Sequence, residues 1–181
     1  MTGQSKKSIC VYCGHKTGNS AAYIDAATAL GHGLGQAGHR LIYGGGTSGM
    51  MGAVADGVTA HNGAVLGIMP KHLFEKERDQ DSAHELILTD TMHERKKIMV
   101  MNADAFVLLP GGIGSLDEFF ELITWRQLGL HDKPCFILNI NGFWSQLEAL
   151  IAHQIDQGFV PADNRDYFKI FDTVPEVLAA I

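Results

Sequence analysis

The sequence predicts a Rossmann-like three-layer α/β fold, with a mainly parallel sheet in a single domain spanning 1–181. Three observations carry this expectation. Short apolar runs alternate with stretches of helical period, as parallel strands joined by crossover helices require. The runs Ala105–Leu109 and Pro134–Ile140 carry no charge, which suits strands buried on both faces. Glycine-rich turns follow three of the runs, after Cys13, Tyr43 and Leu109, at the sheet edge where such folds bind ligands.

In chain order, Ser8–Cys13 reads as the first strand and Gly14–Asn19 as a glycine-bounded loop. Ser20 is placed to cap a helix running to about Ala37. Arg40–Tyr43 is a short second strand, followed by Gly44-Gly45-Gly46-Thr47-Ser48-Gly49 and a helix to about His61. Ala64–Met69 is a third strand. The polar stretch Pro70–Ala83 reads as a solvated connection holding one helical turn.

Glu85–Thr89 and Ala105–Leu109 are further strands, with a helix over Thr91–Asn102 between them. A helix from Ser115 to about Leu128 is ended by Gly129 and kept from continuing by Pro134. Cys135–Ile140 is a strand, Phe143–Gln157 a helix stopped by Gly158, Tyr167–Phe171 a last strand, and Pro175–Ile181 a short helix.

Composition narrows the function. The 181 residues carry a formal net charge of −6, and the longest basic run is the triplet Arg95-Lys96-Lys97. Duplex nucleic acid is a poor partner for such a surface, whereas a single phosphate ester needs only one or two cations. No apolar run approaches a membrane span, and residues 1–7 lack a signal core, so a cytoplasmic location is expected. Cys10 and Cys13 form C-x-x-C, but on a strand residues three apart face opposite ways, which argues against a redox or zinc pair.

Two further strings lose on context. Gly44-x-Gly46-x-x-Gly49 matches a dinucleotide fingerprint, but it follows the second strand, and the next strand ends Met69-Pro70-Lys71 without a ribose-binding acid. His93-Glu94-Arg95-Lys96-Lys97 starts like a metalloprotease helix but has Lys97 where the second histidine belongs. Arg95 is more informative. It shares a helix face with Ile98 and Met99, so its guanidinium is expected over an apolar stripe, where it could clamp a carboxylate or phosphate or else pair with Glu94 or a neighbouring acid on the surface.

The stretch Leu108-Leu109-Pro110-Gly111-Gly112-Ile113-Gly114-Ser115-Leu116-Asp117-Glu118 joins a strand to a helix through three glycines. Unpaired N–H groups converge at such a junction and suit an anion. Ser115-x-x-Glu118 also matches a capping box, which would explain both residues without a ligand but leaves the glycines unexplained. By helical period Leu116, Phe119, Phe120 and Ile123 form the core stripe, while Glu118, Glu121, Leu122 and Trp125 point elsewhere.

Taken together, Pro110-Gly111-Gly112-x-Gly114-Ser115-x-x-Glu118 and Met92-His93-x-Arg95-Lys96 resemble the LOG family of cytokinin riboside 5′-monophosphate phosphoribohydrolases, long mislabelled as lysine decarboxylases. The likeness runs from Cys10–Gly14 through Tyr43–Gly46 and Ile123–Gly129 to Gly158-Phe159. It implies a hydrolase that cleaves the N-glycosidic bond of adenosine 5′-monophosphate, plain or N6-substituted, to free base and ribose 5-phosphate. Arg95 and Glu118 would be the essential pair. Gly111, Gly112, Ile113, Gly114, Ser115, Leu116 and Asp117 would cradle the phosphate, and Lys96 and Thr124 would be further substrate contacts.

The resemblance also implies a homodimer, with Trp125, Arg126 and Leu130 as candidate interface residues, and requires no metal, nicotinamide or pyridoxal cofactor. The chain departs from the family in carrying Ser115 for the usual Thr, and His15-Lys16 for small hydroxyl residues, which adds positive charge near the phosphate. A non-catalytic nucleotide- or molybdopterin-binding carrier of the same fold is the rival reading.

Overall fold

The computed structural model describes residues 5–77 and 84–181. Seven parallel strands, β1 (Ser8–Tyr12), β2 (Arg40–Tyr43), β3 (Val65–Pro70), β4 (Glu85–Thr89), β5 (Ala105–Leu108), β6 (Cys135–Leu138) and β7 (Lys169–Phe171), lie in the order β4-β3-β2-β1-β5-β6-β7. The α/β expectation is met. The sheet is parallel throughout the described residues, and every crossover with room for one carries a helix.

Because side chains alternate along a strand, each central strand feeds two cores. On one face Ile9, Val11, Ala105, Val107 and Leu138 pack with residues of α1 (Ala21–Gln36), α2 (Gly49–Thr59) and α7 (Val174–Ala180). On the other, Cys10, Tyr12, Phe106, Leu108 and Ile137 pack with α4 (Met92–Asn102), α5 (Ile113–Gln127) and α6 (Ser145–Asp156). Cys10 and Cys13 do fall on opposite sides of the sheet.

The chain builds outward from β1 to β4 on one side, then returns through α4 to start β5 on the other side of β1. The reversal lies between β1 and β5, whose backbones pair from Ile9–Ala105 to Tyr12–Leu108. Loops leaving neighbouring strands in opposite directions open a crevice at such a point. Gly14 N–H bonding to Pro110 O at 3.1 Å ties the two loops together at its floor.

Four local expectations change. Lys71–Glu77 is a seven-residue helix, α3, rather than a single turn in a solvated connection, and the remainder of that segment, 78–83, lies outside the described residues. A 3₁₀ turn at Ile140–Gly142 precedes α6 and delays its start to Ser145; left-handed backbone at Asn141 and Gly142 interrupts the helix there. Leu122 is buried rather than turned from the core, and Leu116 and Phe120 are half-buried, because α5 packs on the sheet and on α4 at once.

The fourth change concerns Ser115. Helix α5 starts two residues before it, at Ile113, with extended Gly112 as its N-cap and no side chain bonding the first turn. Ser115 is therefore a buried residue of the first turn and Glu118 an interior one, so the capping box is absent here. A capping box forms instead on α4, where Thr91 Oγ1 accepts from Glu94 N–H and the Glu94 carboxylate accepts from Thr91 N–H.

Candidate active site

The three glycine turns meet around a cavity of about 380 Å³ at the carboxyl edge of the sheet. The turn after β1 supplies Cys13, Gly14 and His15, the turn after β2 supplies Gly44, and the turn after β5 with the start of α5 supplies Gly112, Ile113, Gly114 and Ser115. Arg95 and Glu118 face one another in its wall, and Met51, Leu73 and Met92 line the remainder with apolar surface.

Each glycine turn does a different job. Gly49, at φ +59°, packs so close to the carbonyl of His15 that any side chain there would collide with backbone. A Cβ on Gly44 would strike the Arg95 guanidinium and the sulfur of Met51. The Gly44–Gly49 string therefore serves close packing and the seat of Arg95, consistent with its poor fit to a dinucleotide site. Gly111 is pressed between Ser115 and Gly14.

Gly112 and Gly114 differ from these. Neither has positive φ, and a Cβ on either would meet nothing within 4 Å. Packing does not account for glycine at these two positions, although the N-cap place of Gly112 itself favours glycine over alanine. Their effect is to leave the N–H groups of the first turn of α5 open towards the cavity, at the positive end of the helix dipole.

Arg95 is 7% exposed and Glu118 9%. Arg95 Nη2 lies 3.6 Å from Glu118 Oε1 and donates to Gly44 O at 3.5 Å, while Nη1 approaches Met92 Sδ at 3.8 Å. All three contacts are long for a guanidinium, and Nε–H has no acceptor among the described residues. The fork is held in place but not saturated. Glu94 is engaged in its cap, so it does not compete for Arg95.

Burial pushes the Glu118 carboxyl up from the ordinary 4.5 to about 7, against the pull of Arg95. The group thus exchanges its proton near neutrality, where a general base or acid works best. Burial pushes the neighbouring Cys13 thiol well up, with the Glu118 charge adding to it, so Cys13 stays protonated. Among the described residues no group of three or more His, Cys, Asp and Glu side chains is arranged to hold a metal ion, and His93 is exposed on α4.

Comparison with known proteins places the chain in a family. A family model described as "possible lysine decarboxylase" matches residues 51–181. Cytokinin riboside 5′-monophosphate phosphoribohydrolase LOG2 of Arabidopsis thaliana is 43% identical over 170 residues, covering 94% of this chain and 80% of the relative. The chain belongs to the LOG family.

A probable LOG-family phosphoribohydrolase of Oryza sativa subsp. japonica, LOGL1, is 44% identical over 170 residues, covering 94% of this chain and 76% of the relative. Among solved structures, the molybdenum cofactor carrier protein of Chlamydomonas reinhardtii aligns with a TM-score of 0.73 over 97% of this chain and 96% of its own, at 20% identity. A molybdenum cofactor binding protein of Rippkaea orientalis aligns with a TM-score of 0.71, at 19% identity over 98% of this chain and 96% of its own. At that identity the two share the fold.

The LOG-type residues expected from sequence do not all converge. Arg95, Glu118, Gly112, Ile113, Gly114 and Ser115 share the cavity wall. Gly111 borders an adjoining cavity of about 370 Å³ with His15, Lys16, Tyr23 and Phe143. Leu116 turns towards the core, and Asp117 points to Lys96.

Lys96 is buried, and its ammonium is taken up by Asp117 and Glu121 outside the cavity lining. Thr124 is exposed on α5, away from that lining. Met51, Leu73, Met92 and Cys13 line the site without having been singled out as site residues. The signals for them were the position of Cys13 at a strand's carboxyl end and the place of Met92 in the motif that includes Arg95.

Proposed function

We propose that this chain hydrolyses the N-glycosidic bond of adenosine 5′-monophosphate, plain or N6-substituted, releasing free base and ribose 5-phosphate. The observation that carries the reading is one cavity holding both bare helix-terminal amides and a buried carboxylate facing Arg95. The names of the relatives, phosphoribohydrolases at 43–44% identity over nearly the whole chain, support the same chemistry. The carrier reading rests on fold alone and is the weaker one.

In this reading the 5′-phosphate sits on the N–H groups at Gly112–Ser115, where the helix dipole and unanswered donors favour an anion. The ribose then lies towards Glu118, one turn along the helix. Breaking the C1′–N9 bond sends its electron pair to the base and builds positive charge on the sugar. The Glu118 carboxylate stabilises that charge and takes a proton from the attacking water, whose hydroxide becomes the new 1-hydroxyl; the proton passes on to the departing base, which leaves neutral and returns Glu118 to its carboxylate form. Arg95, with donors to spare, holds a phosphate or ribose oxygen and keeps Glu118 in place. Met51, Leu73 and Met92 offer the apolar wall for the base.

A homodimer belongs to the same proposal. Among the three candidate interface residues, Leu130 is exposed, Trp125 packs against the core, and Arg126 is bonded to Lys133 O and Tyr167 O. Met101 and Leu128 are also exposed, and Lys133 Nζ, in the loop after α5, donates to Val100 O of α4. A cytoplasmic location fits three free cysteines. No described helix is long and apolar enough to cross a membrane.

The deciding experiment incubates the protein with AMP, N6-isopentenyl-AMP, the matching nucleosides and the diphosphates, and measures free base. Release from monophosphates, with little from nucleosides, supports the reading. Binding of AMP without release of base favours the carrier.

A further inference from the structure

The two adjacent cations of α4 have divided the acids of α5 between them. Arg95 faces Glu118, while Lys96 Nζ reaches Asp117 Oδ2 at 3.0 Å, Asp117 Oδ1 at 3.2 Å and Glu121 Oε2 at 2.8 Å. Asp117 and Glu121 are one turn apart and share a helix face; Glu118 is rotated by about 100° from Asp117 and about 60° from Glu121, and lines the cavity, as those two do not. Lys96 is 7% exposed, an unusual burial for lysine, and its donors point at these two acids. It does not border the cavity.

We propose that Lys96 is a positioning residue: by gripping Asp117 and Glu121 it fixes α5 against α4 so that Glu118 meets Arg95, and it shields Glu118 from the two acids beside it. This rests on the hydrolase reading above and assigns Lys96 a role distinct from touching substrate. The charge argument is direct. Glu118 is faced by Arg95 and Lys96 from α4, by Asp117 and Glu121 on its own helix, and by Cys10, Tyr12 and Cys13 from β1 and the turn after it. Of these, Arg95 and Lys96 favour its charged form, while Asp117 and Glu121 oppose it. Burial works against the charge of Lys96 too, but its hydrogen bonds to Glu121 and Asp117 outweigh burial and raise its pKa. It stays an ammonium wherever the enzyme would act.

Replacing Lys96 by Met keeps the buried stem and removes the charge. With AMP as substrate, Lys96→Met should lower kcat by about tenfold or more, since small misplacements of a reacting group are costly. KM should change by less than about threefold, as for a group that does not touch substrate. The acid limb of the pH–rate profile should move up by about half a pH unit or more. Lys96→Arg, which keeps the charge, should leave that limb in place, and adding Asp117→Asn and Glu121→Gln to Lys96→Met should return it towards the parent position.

A raised KM with kcat and the limb unchanged would make Lys96 a substrate contact and overturn the proposal. A lower Tm with kcat, KM and limb unchanged would leave it a packing residue, with the same consequence. If Lys96→Met does not fold, Asp117→Asn/Glu121→Gln with Lys96 retained should move the limb down, and an unmoved limb counts against the proposal. Titration of the Glu118 carboxyl by carbon-13 NMR without substrate reads the same shifts. A parent protein inactive on every monophosphate would thus remove the hydrolase reading while the electrostatic role was still tested.

Discussion

Arg95 Nη2 and Glu118 Oε1 stand 3.6 Å apart, on different helices and both about nine-tenths buried, in the wall of a cavity floored by glycine. The separation is too long for a strong charge-assisted hydrogen bond, which runs to about 2.7–2.9 Å. Burial therefore outweighs the guanidinium, and the Glu118 carboxyl sits at about 7 instead of being driven down. An arrangement that maximised stability would close the pair; this one leaves a carboxylate whose proton is exchangeable near neutral pH.

Activity should follow from that value. As a base, Glu118 must be ionised, so kcat/KM for base release should climb with pH through about 7 and level above it. A profile flat from pH 5 to 8 would remove Glu118 as the base. Glu118→Gln should lower base release by about 10²–10⁴-fold, measured on protein shown to be folded by circular dichroism.

Stability should move the other way. The folded carboxyl titrates above its unfolded value of 4.5, so the native state binds more protons between about pH 4.5 and 7 and stability falls as pH rises through that window. The contribution is on the order of 3 kcal/mol at pH 8, where the buried charge is fully formed. Glu118→Gln should therefore be more stable than the parent at pH 8 and similar to it at pH 5, by urea unfolding. Equal stability of the two proteins at pH 8 would contradict the burial argument.

The glycines separate ligand binding from folding. Gly114→Ala meets nothing and lies in a helix, so it should stabilise the protein by up to about 1 kcal/mol. Gly112→Ala replaces a favoured N-cap residue with a poor one and should cost about 1 kcal/mol or less. Both should raise KM for AMP by about tenfold or more if phosphate rests on those amides, because the added methyl stands where the anion must approach. Gly49→Ala, at φ +59° and against the His15 backbone, should instead lower Tm clearly, by several degrees. An unchanged KM in both Gly112→Ala and Gly114→Ala would move the phosphate elsewhere.

Arg95 should tolerate no conservative exchange. Arg95→Lys keeps charge but loses the planar fork that spans Gly44 O, Met92 and Glu118, and base release should fall by about 10²-fold. Gly44→Ala tests the same seat from the other side, since its Cβ would occupy the guanidinium's place. Steady-state kinetics of both variants should show the loss mainly in kcat.

The parallel sheet and the three glycine turns at one edge were legible in the residues, and the resemblance to the LOG family singled out Arg95 and Glu118. Apolar runs and turn residues are local signals, and family motifs carry the pair with them. Residue patterns did not show where α5 begins. Ser115-x-x-Glu118 satisfies a capping box as a string, yet Gly112 already has the extended backbone that lets the helix start at Ile113, which turns Glu118 inward.

Nor does spacing along one chain say which acid each of two neighbouring cations meets. Sequence holds Arg95 over an apolar stripe but names no acid of α5 for either Arg95 or Lys96; the packing of α4 on α5 sends one to Glu118 in the cavity and the other to Asp117 and Glu121 behind it. Secondary structure and turns depend on contacts a few residues apart, and those are written in the chain. The depth of a carboxylate, the proton it holds and the cation that faces it depend on distances between segments brought together when the sheet forms, and those the folded molecule alone decides.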